Sequence, residues 1–103
     1  MYIKHIEDVS FVEHDDSLAS ILVSEEMTGS YMVQLIRVSP GAKMPVHLHD
    51  IPQVYIVLGG SAKLRVGDEI EEVSRGMVVF LPPHVEHETM ESGEAGLRYI
   101  VIE

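Results

Sequence analysis

The chain contains no cysteine. That excludes disulfides, a thiolate nucleophile, and any cysteine-bound zinc or iron–sulfur centre. It is also poor in positive charge, with 7 lysines and arginines against 17 acidic residues and a formal charge of −10. Nucleic acid is disfavoured as a partner, because phosphate binding needs a concentrated basic surface. An anionic membrane surface is disfavoured for the same reason. No apolar run approaches the ~20 residues needed to span a bilayer. Met1–Ser10 lacks the apolar stretch of a signal peptide, so the expectation is a cytoplasmic protein that does not engage membranes. No solenoid repeat, low-complexity linker or long helical period interrupts the chain.

The 103 residues that are present make one domain, 1–103. About a third of them are valine, isoleucine, leucine or phenylalanine, far above a disordered composition. A chain this short has a limited core and gains from a partner subunit. Short apolar stretches separated by turn residues give an all-β reading. Phe11–Glu13 and Ala19–Val23 are expected as strands, and residues 1–30 as N-terminal strands or a segment exchanged in a dimer. Glu25–Ser30 is expected as a turn, and Tyr31–Val38 as a strand. Val54–Leu58 is a continuous apolar run, followed by Gly59-Gly60 as a permissive turn. Ala62–Val66 alternates, with Ala62, Leu64 and Val66 on one face. Gly67-Asp68 turns into Glu69–Val73. Met77–Leu81 is broken by Pro82-Pro83, and His84–Met90 and Leu97–Ile102 complete the series. Strands this short and this regularly punctuated suit a small closed or nearly closed barrel.

Six histidines remain, so a transition-metal site must be built from imidazole, carboxylate, amide or water. His47 and His49 are two apart and share a face if their segment is extended. Gln53 and Tyr55 form a second such pair, and His87 lies on a later strand able to close the site from across the barrel. Taken alone, each of these is also what an ordinary polar strand position carries.

The glycines and prolines around them add a longer pattern. Gly41 is followed after five residues by His47-Leu-His49, after three more by Gln53, and after six more by Gly60. Gly76 is followed after five residues by Pro82-Pro-His84, and after two more by His87. This sequence resembles the cupin family, whose two motifs have these spacings, and the resemblance spans Gly41 to His87. It departs from the family at Gln53, where most metal-binding members have glutamate, at His84, often glycine, and at Glu91, usually asparagine.

The resemblance implies a small double-stranded β-helix, or jelly-roll, barrel. It also implies one divalent transition metal ion per chain (zinc, nickel, iron, manganese, cobalt or copper) on His47, His49 and His87, with Gln53 as fourth ligand or as a hydrogen-bond partner of bound water. A neutral ligand set leaves the ion its full charge, which favours a small anionic organic ligand. The three-His, one-Gln set is similar to that of the pectin-pathway uronate-converting cupins. The expectation is a metal-dependent isomerase or lyase acting on a small organic or sugar acid. The alternatives are an iron- or copper-dependent dioxygenase and a non-catalytic metal- or ligand-binding module. Small cupins also point to a homodimer. Tyr55 is a candidate hydrogen-bond donor to substrate. Arg37, Arg98 and Tyr99 are candidates for the pocket wall, where an arginine would hold a carboxylate through two parallel bonds. His84 is placed at the pocket mouth or in solvent, and His5 and His14 are expected to lie away from the site.

Overall fold

Alternation of apolar and polar residues carries most of the chain into antiparallel strands. The computed structural model describes residues 1–103. Its elements are β1 (Val12–His14), β2 (Ser17–Val23), α1 (Glu25–Thr28), β3 (Val33–Val38), β4 (Met44–His47), β5 (Gln53–Val66), β6 (Glu69–Ser74), β7 (Val78–Leu81) and β8 (His87–Ile102). The two long strands, β5 and β8, pair with each other from Val54↔Ile102 to Val66↔His87. This ribbon is the spine of the molecule. At one end β7 lies on the far side of β5, and β3, β2 and β1 follow β8. At the other end β6 flanks β5 and β4 flanks β8. Two sheets therefore share one bent ribbon, which is a jelly-roll barrel.

The bend explains where the structure differs from the sequence-based expectation. Gly59-Gly60 is not a turn but the middle of β5, and Ser92–Gly96 is not a gap but part of β8. The β5–β8 register shifts between Val57 and Gly59 and again between Gly60 and Ala62. Such bulges bend a strand without ending it. Gly60 has φ +75°, and a Cβ there would lie 2.0 Å from the Gly96 carbonyl oxygen. Glycine is required where the two strands cross this closely. Glu25–Ser30 also differs, because Glu25–Thr28 closes a single helical turn. Ser24 accepts from the Met27 amide to start it, and Gly29, in the left-handed region, ends it. His84–Glu86 stays outside β8, with His84 at φ +63°.

Inward-facing side chains from both sheets form one core, including Ile36, Val38, Tyr55, Val57, Leu64, Val73, Leu81, Leu97, Tyr99 and Val101. Each large apolar side chain buried this way contributes roughly 1.5–3 kcal/mol. The expected alternation of Ala62, Leu64 and Val66 holds, since Ala62 and Leu64 are buried and Lys63 is exposed. No helix is long and apolar enough to cross a membrane.

Candidate metal centre

His47 closes β4 and His87 opens β8, and the two are direct cross-strand partners. His49 lies beyond the end of β4, so it does not share a strand face with His47 as expected. It reaches the same point from the β4–β5 connection. Its carbonyl accepts from the His84 amide at 2.8 Å, which ties that connection to the one between β7 and β8. The ring centroids stand 5.1 Å apart for His47–His49, 4.1 Å for His47–His87 and 5.4 Å for His49–His87. One potential ligand atom from each histidine lies within 4.8 Å of the others. Imidazoles on one first-row ion have nitrogens at most about 4 Å apart, given metal–nitrogen bonds of ~2.0–2.1 Å. Binding one ion would draw the three ring nitrogens slightly closer together than they stand here.

The hydrogen bonding leaves the right atoms free. His47 Nδ1 lies 2.6 Å from the Pro45 carbonyl, which only accepts. The proton is therefore on Nδ1, and Nε2 keeps its lone pair. His87 is 2% exposed, and neither of its ring nitrogens has a partner. The buried Gln53 Oε1 is also unpartnered. Leaving such groups unsatisfied costs ~1–3 kcal/mol each. Orphaned lone pairs beside two further imidazoles are what a bound cation would satisfy, so the donor set fits a metal. Burial, reinforced by His47, lowers the His87 pKa to about 4, which keeps the ring neutral and able to ligate.

Tyr55 is buried two residues after Gln53, with its ring 6.4 Å from that of His87. Burial pushes its hydroxyl up to about 12, so it stays protonated. Tyr99 packs 4.5 Å from Tyr55, and its hydroxyl donates to the Met44 sulfur at 3.5 Å. Burial likewise raises Tyr99 well above the usual tyrosine range. The structure does not bring the arginines here. Arg37 is exposed on the outside of β3, over the Phe11 ring at 5.7 Å, and Arg98, its cross-strand partner, pairs with Glu7 at 3.3 Å. His84 is exposed, 3.6 Å from Asp50. His5 accepts from the Glu7 amide in the N-terminal stretch, and His14 is exposed on β1.

One residue of this neighbourhood escaped the sequence reading. Glu103 accepts a hydrogen bond from Gln53 Nε2 across 50 positions of chain. No local motif marks it. Only the register, with Val54 opposite Ile102, brings the two together. A cleft of about 770 Å³ between β6 and β7 is lined by residues such as Val73 and Phe80 and by none of the histidines.

A family model described as "Cupin domain" matches residues 34–103. Mannose-1-phosphate guanylyltransferase RfbM of Salmonella typhimurium is 32% identical over 75 residues, which is 72% of this chain but only 16% of that protein. A structure described as a predicted oxalate decarboxylase from Thermotoga maritima superposes with a TM-score of 0.90 at 15% identity, covering 98% of this chain and 96% of that one. The polyketide cyclase RemF from Streptomyces resistomycificus gives 0.84 at 26% identity, covering 99% and 78%.

Proposed function

The chain belongs to the cupin family, and from that membership we propose that it is a metal-dependent enzyme of isomerase or lyase type, acting on a small organic acid or sugar acid. The observation that carries this reading is the cluster of His47, His49 and His87, in which the His87 nitrogens are buried and unpartnered, together with the buried, unpartnered Gln53 Oε1. These four residues would hold one divalent transition metal, and a bound ion supplies Lewis acidity toward a carbonyl or enol oxygen. With only neutral ligands in direct contact, its charge is offset less than a carboxylate ligand would offset it, which favours an anionic substrate. Tyr55, held protonated by burial, donates a hydrogen bond to substrate oxygen, and Tyr99 packs behind it. The absence of cysteine leaves proton transfer, rather than attack by a thiolate, as the chemistry. The His/His/Gln/His set extends the reading to unsaturated uronates as a substrate class to assay first. The protein acts as one domain in a homodimer. Val78 and Phe80, exposed on β7, are apolar surface available to a second subunit.

The test is metal analysis of protein purified without added metal, beside His49→Ala. One equivalent of metal is expected in the native protein and none in the variant. Full occupancy in His49→Ala would sink the site. Turnover of the acid under strict anaerobiosis separates this chemistry from an oxygen-consuming one.

A further inference from the structure

The geometry points to Glu103 as the residue that decides which end of the Gln53 amide faces the histidines. A glutamine side chain has two ends of nearly equal shape, an oxygen that ligates cations and an NH2 that repels them. A half-turn about its last bond exchanges them. The Glu103 carboxylate accepts from Gln53 Nε2. A carboxylate has no proton to give, so the end that meets it is the NH2, and Oε1 is left on the opposite side, buried and without a protein partner. Glu103 is itself held in place. Its other carboxylate oxygen accepts from Gln34 Nε2 at 2.8 Å. Its backbone exchanges both hydrogen bonds with Met32, at 2.6 and 3.0 Å. Residues from three places in the chain thus fix one amide.

The pair also restores charge. The motif resemblance puts a carboxylate where this chain has Gln53. Here the carboxylate stands one hydrogen bond further back. An amide that donates to a carboxylate carries a more negative oxygen, so Gln53 and Glu103 together do part of what a single glutamate would. Glu103 is a positioning residue, and this inference rests on the reading above that Gln53 is a ligand.

The experiment is Co2+ titration of the full chain, followed by calorimetry and by the visible absorption of the bound ion, for the native protein, Gln53→Ala, Glu103→Ala and Glu103→Gln. Glu103→Ala is expected to weaken Co2+ binding by about 10–100-fold and to change the visible spectrum, as losses of such supporting partners do. Glu103→Gln is expected to recover most of the affinity, because its carbonyl still accepts from Gln53 Nε2 once Gln34 turns its amide. If Glu103→Ala does not fold by circular dichroism, Glu103→Asp, which withdraws the carboxylate by one methylene, is expected to weaken binding in the same direction. Unchanged affinity and spectrum in the folded Glu103 variant, with Gln53→Ala impaired, overturns the inference alone. Glu103→Gln as weak as Glu103→Ala overturns orientation as the cause. A Gln53→Ala protein that binds like the native one removes the ligand role of Gln53, and a native protein that binds no Co2+ removes the metal reading. Either result takes this inference with it.

Discussion

His87 bears the strongest electrostatic constraint at the residue scale. Burial is the main reason its pKa falls to about 4; the neighbouring His47 and His49 push it the same way, while the Val85 backbone and Glu103 oppose it in part. An unfolded chain protonates the same ring near 6.5. Between those values the unfolded state binds a proton that the folded state refuses, so acidification favours unfolding. The contribution is intact above about pH 6.5 and is lost as the pH falls toward 4. At ~1.36 kcal/mol per unit, the whole window is worth about 3 kcal/mol. In metal-free protein, urea midpoints measured from pH 7 to 4 should fall more steeply for the native chain than for His87→Asn, which cannot titrate. Parallel curves would show that the ring is not held neutral by the fold. The same property serves the site, since a metal needs the lone pair that a proton would take.

At the scale of elements, the bend in β5 gives a sharper prediction than any strand does. Gly60→Ala places a methyl 2.0 Å from the Gly96 carbonyl at φ +75°. The left-handed conformation alone costs an L-residue ~1–2 kcal/mol, and the clash adds to it, so a loss of more than about 2 kcal/mol is expected. Gly76→Ala has the same sign of φ but meets nothing within 4 Å, and should cost only about 1 kcal/mol, the strain of that conformation. Urea unfolding of the two variants checks the ranking, and equal losses would show that the β5–β8 crossing tolerates side chains. This crossing is also where the sequence was hardest to read. Two glycines after an apolar run look the same whether they make a turn or a bulge, and only a partner strand some 37 positions away decides between them. Elements set by local alternation, such as β3, β6 and β7, were legible to within a residue or two. The three histidines were legible because fixed spacing carried them. Glu103 was not, because β-register carried it. Arg37 was misplaced for a reason visible in its neighbours: Ile36 and Val38 turn inward, so strand parity sends Arg37 outward.

At the scale of the whole molecule, two of the four candidate ligands, His47 and His49, come from a part little secured by the core, while Gln53 and His87 sit on the β5–β8 spine. β4 has four residues and pairs only with β8, and its register slips between Met44 and His47. The connection carrying His49 continues from its end. An ion held by His47, His49, Gln53 and His87 would cross-link β4, that connection, β5 and β8, so binding should stabilise the entire fold. A ligand at 100 times its Kd adds ~2.7 kcal/mol, and a domain near this size gains ~4–8 °C per kcal/mol. Thermal unfolding in excess Co2+ should therefore lie about 10–20 °C above that in a chelator. A chain of net charge −10 also gains from any divalent cation by screening alone. Mg2+, which prefers oxygen ligands and avoids imidazole, is the control for that effect. A large shift with Co2+, a small one with Mg2+ and only a similarly small one with Co2+ in His49→Ala would assign the stabilisation to the histidine cluster. Equal shifts with both cations would assign it to the acidic surface, and the barrel would then hold together without any help from its candidate site.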